Sequence, residues 1–109
     1  LRVFGGYVPE GYTLAETTKW AIDSLKSCMG YAENRGVVVA LENHGGITAT
    51  AENVVKIIKE VDSPWLGINL DLGNYRESTY EMIAQTVPYA VHAHAKVSVA
   101  GGENSIIKE

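Results

Sequence analysis

The sequence has few of the residues that mark disulfide-rich, membrane-spanning or nucleic-acid-binding proteins. Its 109 residues include one cysteine, Cys28, which excludes an internal disulfide and agrees with a reducing compartment. The net charge of −4 leaves no basic face for phosphate groups. No apolar run approaches the roughly 20 residues that span a bilayer, and no basic-then-apolar leader opens the chain. We therefore expect a soluble, cytoplasmic protein that binds neither nucleic acid nor membrane.

The length allows one domain or less, and the 46% of hydrophobic residues is enough to bury a core. The chain opens at Leu1 and runs directly into the strand-like sequence LRVF. Such a start resembles a chain cut within a larger fold or trimmed in processing. We expect residues 1–109 to be a fragment of a single domain.

The segment at 37–46, VVVALENHGG, is an apolar β-branched run that ends in a carboxylate and an imidazole. Such a run suits a parallel strand covered on both faces. Side chains alternate along a strand, so Glu42 and His44 share one face near its carboxyl end, where parallel sheets and barrels bind ligands. The other face, with Val39 and Leu41, is apolar and predicts a covering helix. The alternative is that Glu42 and His44 are solvated loop residues.

Hydrophobic periodicity predicts alternating strands and helices. Thr13 and Glu16 have the capping-box spacing at the start of the first helix. Its apolar stripe includes Cys28 and Met29, which we expect to be packing residues. The second helix carries four apolar residues on one face: Val54, Ile57, Ile58 and Val61. The predicted strands are 1–4, 37–41, 65–72 and 90 to about 99; the predicted helices run from 13 to about 35, from an N-cap at Thr48 or Thr50 to about 61, and from about 78 to 86.

This alternation implies a parallel sheet with right-handed crossovers and helices on one face. The other face carries polar residues on three successive strands: Glu42 and His44, then Asn69 and Asp71, then His92, His94 and Lys96. A doubly wound sheet would cover that face with helices and keep it apolar, so we place it in the lumen of a barrel. Four strands cannot close a barrel of eight. The predicted fold is therefore α/β, a partial (β/α)8 TIM barrel of about four parallel strands and three helices.

Glu42, Asp71 and His94 each lie at or near the carboxyl end of a predicted strand. Two carboxylates and one imidazole with open positions suit one divalent ion such as Mn, Mg, Co or Zn. Such an ion can stabilise an enediolate while a carboxylate moves a proton between adjacent carbons. The alternative is that Asp71 and Asn74 build a turn, and that His92 and His94 are satisfied barrel residues.

Four motifs, RVFGG, LENHGG, LDLGN and HAHAK, follow one another at βα spacing. With them the chain resembles the xylose isomerase-like (β/α)8 barrels, which include sugar phosphate isomerases, ketose 3-epimerases and inosose dehydratases, and the related apurinic endonucleases. The resemblance covers nearly the whole chain and matches it to the fourth to seventh strands of that barrel.

The resemblance implies a site. It matches Glu42, Asp71 and His94 to three ligands of one divalent metal, and Glu42 to one of two acid/base carboxylates, which makes Glu42 the candidate catalytic residue. The candidate substrate-binding residues are His44, Asn74, His92 and Lys96.

The chain departs from the family pattern at several positions. The family's fourth ligand, a glutamate that is often the second acid/base carboxylate, has no counterpart, so the fragment alone is expected to be inactive. Glu103, in a polar tail, is not assigned that role. Asn74 stands where many relatives carry histidine and a later D-x-H is missing, which disfavours the endonucleases. Val97 replaces the aspartate of the family's H-x-K-D, so Lys96 is either a substrate contact or a lumen lysine paired with a carboxylate.

Three hypotheses follow. The first is a divalent-metal-dependent isomerase or epimerase acting on a small sugar or sugar phosphate. The second is a keto-polyol (inosose-type) dehydratase, which would share the metal and the enolate but expel a hydroxyl. The third is a non-catalytic fragment or interaction module that forms homo-oligomers through the open sheet edges of half a barrel.

Overall fold

Strands and helices alternate along the chain. A computed structural model describes residues 1–96 and the backbone of 98–99 and 104–105. The elements are β1 (Arg2–Phe4), α1 (Leu14–Arg35), β2 (Val39–Glu42), α2 (Ala51–Val61), β3 (Leu66–Asp71), α3 (Thr79–Thr86), a 3₁₀ turn (Val87–Tyr89), β4 (Ala90–His94), β5 (Ser98–Val99) and β6 (Asn104–Ser105). None of the three described α-helices has the length and apolar composition that a membrane crossing requires.

The four longer strands form one parallel sheet in the order β1-β2-β3-β4, while β5 and β6 pair antiparallel in a sheet of their own. The register aligns Phe4, Glu42, Asn69 and His92 in one row across the main sheet. Sequential order and parallel pairing are those of a βα barrel wall. The predicted α/β fold of four parallel strands and three helices is confirmed.

The apolar core lies between one face of the sheet and the helices. Leu41 and Ile68 contribute from the sheet, and the predicted face of α2 is confirmed because all four of its apolar residues are buried. Each such side chain contributes about 1.5–3 kcal/mol when fully buried. The helices therefore cover one face of the sheet and leave the polar residues on the other.

Helix ends follow the sequence signals. Thr13 and Glu16 form the predicted capping box of α1, and Gly36 ends that helix in the left-handed region at φ 65°. Thr50, rather than Thr48, is the N-cap of α2, and its side chain accepts a hydrogen bond from the Asn53 backbone. These caps satisfy backbone groups that the helix ends leave without partners.

β2 and β4 differ most from their predicted bounds, whereas β1 is shorter than predicted by one residue and β3 by one residue at each end. β2 begins at Val39 instead of Val37, because the Val37 N–H donates to the Ala32 carbonyl and completes the end of α1. β4 ends at His94 instead of continuing to about residue 99, so Lys96 lies beyond the strand. Residue 97, whose side chain bears on the predicted role of Lys96, lies outside the described residues.

The prediction that Cys28 packs in the core is wrong. Cys28 is exposed and lines a surface groove beside Trp20 and Leu25, whereas Met29 is buried as predicted. The buried stripe of α1 is narrower than the apolar pattern suggested, because Cys28 lies at its margin.

A β-bulge interrupts the pairing of β3 with β4. Ile68 pairs with Ala90 but Asn69 pairs with His92, which leaves Val91 as the extra residue. Gly67 makes room for it, since a Cβ at Gly67 would lie 2.4 Å from a Val91 methyl carbon. Bulges re-aim side chains near functional sites. Here the bulge brings His92 level with Asn69.

Candidate metal centre

Three adjacent strands end on potential metal ligands. Glu42 is the last residue of β2, Asp71 of β3 and His94 of β4. One potential ligand atom from each residue lies within 4.8 Å of the others, and both carboxylates are buried while the imidazole is half-buried. The structure therefore brings together the three residues that the sequence predicts as ligands.

The spacing of these atoms suits a single ion. His94 Nδ1 lies 3.6 Å from Glu42 Oε2 and 3.6 Å from Asp71 Oδ2. Atoms that share an ion at bonds of about 2.1 Å lie roughly 3–3.5 Å apart, so small side-chain adjustments complete the set. Oxygen and imidazole nitrogen are ligands that Mn, Mg, Co and Zn accept. The donor set fits a divalent cation.

The buried Glu42 carboxylate is surrounded by donors. Oε2 accepts from Asn69 Nδ2 at 2.6 Å and pairs with the Arg2 guanidinium at 3.3 Å. Oε1 lies 2.9 Å from His44 Nδ1, and Asn74 Nδ2 is 3.4 Å away. Burying an ionised carboxylate is costly unless such partners are present. These contacts satisfy the buried carboxylate and hold its oxygens in place.

Asp71 is held through both its backbone and its side chain. Asn43 donates to the Asp71 carbonyl at 3.0 Å and accepts from the Asp71 N–H at 2.8 Å, which joins the ends of β2 and β3. Asp71 Oδ1 accepts from the Gly73 N–H at 2.9 Å and lies 3.2 Å from Lys96 Nζ. The other oxygen, Oδ2, faces His94 and remains available for an ion.

The predicted substrate-binding residues surround this cluster. Lys96 donates to Asn74 Oδ1 at 2.7 Å, and Asn74 Nδ2 lies 3.3 Å from His44 Nδ1. His92 lies on the other side, with its Nδ1 2.7 Å from Asn69 Oδ1. The pairing of Lys96 with Asp71 is the arrangement expected of a lumen lysine paired with a carboxylate. Glu103 lies outside the described residues.

A cavity of about 460 Å³ opens beside His44 and Asn74 and is also lined by Tyr7 and Arg76. This volume lies in the range of small-molecule pockets. Close approach of two loops shapes it: a Cβ at Gly46, where φ is +53°, would lie 2.3 Å from the Gly6 carbonyl oxygen. The candidate metal centre therefore has room for a ligand at its side.

Sequence reasoning gave no role to Arg2, Asn43 or Asn69. Alternation along RVF places Arg2 on the same face as Phe4, and a parallel pairing of β1 with β2 would have brought that face to Glu42. Phe4 contacts the His44 ring at a centroid distance of 4.7 Å, and the Arg2 guanidinium lies 5.0 Å from the Phe4 ring. The sequence does not give the register between strands, and that register is what brings these residues to the site.

Comparison with models of protein families assigns the chain to a family. A model of the xylose isomerase-like TIM barrel matches residues 1–104. The chain belongs to this family. The resemblance inferred from the four motifs is thereby confirmed, and the main sheet is part of a TIM barrel.

Solved structures of xylose isomerase-like barrels share this fold. A D-tagatose 3-epimerase-like protein is 25% identical, with a TM-score of 0.76 over 94% of this chain. The probable 3-DHS dehydratase AsbF of Bacillus anthracis, involved in petrobactin synthesis, is 26% identical with a TM-score of 0.70 over 85%. A xylose isomerase-like TIM barrel protein of Mycobacterium smegmatis in complex with magnesium is 28% identical with a TM-score of 0.68 over 84%.

Among curated proteins, the uncharacterized protein MJ1311 of Methanocaldococcus jannaschii is 32% identical over 78 residues, which is 66% of this chain. The chain spans 27% of that protein's length. It spans 42%, 35% and 31% of the three solved chains, in the order given above. This xylose isomerase-like chain thus corresponds to less than half of each of these relatives.

Proposed function

We propose that the barrel containing this chain is a divalent-metal-dependent isomerase or epimerase of a sugar or sugar phosphate. The reaction would move a proton next to a carbonyl by way of an enediolate. The observation that carries the proposal is the convergence of Glu42, Asp71 and His94 at the ends of three adjacent strands. The likeness to a D-tagatose 3-epimerase-like protein supports it. Residues 1–109 would then be a segment of a single barrel domain.

Glu42, Asp71 and His94 would hold the ion. When bound, a divalent cation supplies Lewis acidity that polarises a carbonyl and a neighbouring hydroxyl. The magnesium in the Mycobacterium smegmatis relative supports this assignment, although it leaves open which of Mn, Mg, Co or Zn is used. Arg2 and Lys96 contribute positive charge beside the two carboxylates.

The side chains around the ion have distinct proposed tasks. Glu42 would accept or return the migrating proton, because its carboxylate is fixed by several donors and located at the strand end. His44 and Asn74 line the neighbouring cavity and would bind substrate oxygens. Lys96, 46% exposed, and His92 would do the same from β4 and the loop after it.

A dehydratase acting on a keto-polyol is the second candidate, and the likeness to the probable 3-DHS dehydratase favours it. It would use the same cluster to remove a proton next to a carbonyl, and a hydroxyl would then leave. The product distinguishes the two reactions, since dehydration yields an unsaturated ketone that has lost one water, and epimerisation yields an isomer that has lost none.

The test is a chelation-and-return assay on the whole protein that carries this segment. Bound metal is removed from the protein with EDTA. Ketoses, ketose phosphates and keto-polyols are then supplied in deuterated water with and without Mn²⁺. We expect Mn²⁺ to restore turnover with solvent deuterium in the product, Glu42→Gln to abolish it, and the exposed helix variant Glu60→Gln to retain it. Full turnover in EDTA, or none on any substrate, would contradict the proposal.

A further inference from the structure

Asn69 links the potential ligands in a way that the proposed function does not require. It lies in the central strand of the row formed by Glu42, Asn69 and His92, and it is 1% exposed. Its Nδ2 lies 2.6 Å from Glu42 Oε2 and 3.4 Å from His94 Nδ1. Its Oδ1 lies 2.7 Å from His92 Nδ1. One buried amide therefore contacts three polar side chains on the two neighbouring strands.

The chemistry of the partners determines the orientation of this amide. Asn69 Nδ2 faces Glu42 Oε2, and a carboxylate oxygen accepts a hydrogen bond from an amide N–H. The carbonyl oxygen of Asn69 then faces His92, and because that oxygen only accepts, His92 Nδ1 must carry the proton. The second N–H of the amide lies on the side of His94 Nδ1, which also faces the two carboxylates.

We infer that Asn69 is a positioning residue that fixes the Glu42 carboxylate and selects the tautomer of His92. His92 carries its proton on Nδ1. His94 Nδ1 lies between Glu42 Oε2 and Asp71 Oδ2, 3.6 Å from each. The part concerning the ion rests on the proposed function, whereas the tautomer of His92 does not.

The two histidines would then have different roles. His94 Nδ1 faces both carboxylates and is left free to bind the cation. His92 has its Nδ1 occupied by Asn69, so only Nε2 is available to a substrate oxygen, as an acceptor. Hydrogen bonds to the second nitrogen of an imidazole commonly set its tautomer in metal sites. In this chain, the Asn69 amide sets the tautomer of His92.

The β-bulge is part of the same arrangement. In an unbroken register, Asn69 would pair with Val91 and Leu70 with His92, and the ring of His92 would lie on the opposite face of the sheet. Gly67 leaves the space that the bulged Val91 side chain needs. Gly67 and Asn69 thus act together to bring His92 to the amide.

The first test is NMR of the metal-free, ¹⁵N-labelled chain at a pH about two units above the ordinary histidine pKa of about 6.5. Long-range ¹H–¹⁵N spectra identify the protonated nitrogen of each neutral ring. We expect protonated Nδ1 in His92, because that nitrogen faces the Asn69 carbonyl oxygen. A proton on Nε2 of His92 alone would overturn the inference, and this readout needs neither a variant nor a metal.

The second test compares Asn69→Leu with the matched control Thr86→Val, which also removes a fully buried polar group. Thr86 lies in α3, away from the metal ligands, and its hydroxyl donates to helix carbonyls. By calorimetric Mn²⁺ titration, we expect about 10–100-fold weaker binding for Asn69→Leu and less than twofold change for the control. Equal losses in both variants would overturn the positioning role.

Two outcomes separate this inference from the proposed function. If the wild-type chain binds no Mn²⁺ but shows the expected His92 tautomer, the metal centre is contradicted and the role of Asn69 in selecting that tautomer is supported. If the wild-type chain binds Mn²⁺ but shows the other His92 tautomer, the metal centre is supported and the role of Asn69 is contradicted. If Asn69→Leu does not fold, the His92 tautomer of the wild type decides.

Discussion

At the scale of single residues, Glu42 is the side chain through which the parts of the candidate site are connected. It contacts Arg2 from β1, Asn69 from β3 and His44 from the loop that follows its own strand. We expect Glu42→Gln to weaken Mn²⁺ binding by at least about 100-fold. Loss of a residue that hydrogen-bonds to a metal ligand typically weakens binding by about 10–100-fold, and loss of the ligand itself should weaken it more. Calorimetry on the wild type, Glu42→Gln and the exposed Glu60→Gln checks this, and tight binding by Glu42→Gln would contradict the assignment.

Tyr75 is a buried residue whose hydroxyl has no hydrogen-bond partner within the described part of the chain. Burial raises the pKa of its phenol, and the nearby Thr86 hydroxyl, which already donates to the Met82 and Ile83 carbonyls, offsets this only in part. Leaving a buried polar group unpaired costs about 1–3 kcal/mol. We therefore expect Tyr75→Phe to raise the free energy of unfolding by about 1 kcal/mol in urea titrations. A decrease of similar size in the free energy of unfolding would show that the Tyr75 hydroxyl is hydrogen-bonded.

Alternation within single strands was enough to predict Glu42, Asp71 and His94 as a cluster. It could not reveal what each of them contacts, because contacts across a sheet depend on the register between strands. Asn69 was placed on the correct face and yet received no role for this reason. The bulge at Val91 also leaves no signal in an alternating pattern.

At the scale of elements, the capping box of α1 makes a pH-dependent contribution. Hydrogen bonds from the Thr13 backbone and side chain lower the pKa of the exposed Glu16 below its ordinary 4.5. A carboxyl with a depressed pKa stabilises the fold above its unfolded-state pKa, and the effect is lost as pH falls through the folded-state pKa. The stabilisation is therefore complete above about pH 5 and disappears in acid.

Glu16→Gln tests this, because glutamine retains the capping-box geometry without the charge. In urea unfolding from pH 7 to pH 3, we expect the wild type to exceed Glu16→Gln in stability at pH 7 and to converge with it at pH 3. The control is Glu52→Gln. Glu52 lies in the first turn of α2, where the N-cap residue Thr50 accepts a hydrogen bond from the Asn53 N–H. A constant difference between wild type and Glu16→Gln across the range would contradict the assigned role.

Helix ends were predicted more accurately than strand ends, for a physical reason. Helix ends carry local signals, as Thr13 and Gly36 illustrate. Strand ends depend on the partner strand, so Val37 was expected in β2 although its N–H completes α1. Likewise, β4 ends at His94, where its pairing with Asp71 of β3 ends, although the alternating sequence continues.

At the scale of the whole molecule, the main sheet has two edges among the described residues, β1 and β4. Exposed strand edges offer unpaired backbone groups to other chains. We expect the 109-residue chain to self-associate, with a mass that rises with concentration in light scattering. Val91→Lys on β4 should weaken association, because edge lysines oppose pairing, whereas Tyr31→Lys on the exposed side of α1 should not. A monodisperse wild-type monomer at all concentrations would contradict this prediction.

The central claim is that one divalent cation binds between Glu42, Asp71 and His94. The most direct measurement is an anomalous difference map, collected above the manganese absorption edge, from crystals of the chain grown with Mn²⁺. The account predicts a single strong peak about 2–2.3 Å from Glu42 Oε2, Asp71 Oδ2 and His94 Nδ1. A map with no peak between these three residues would contradict it.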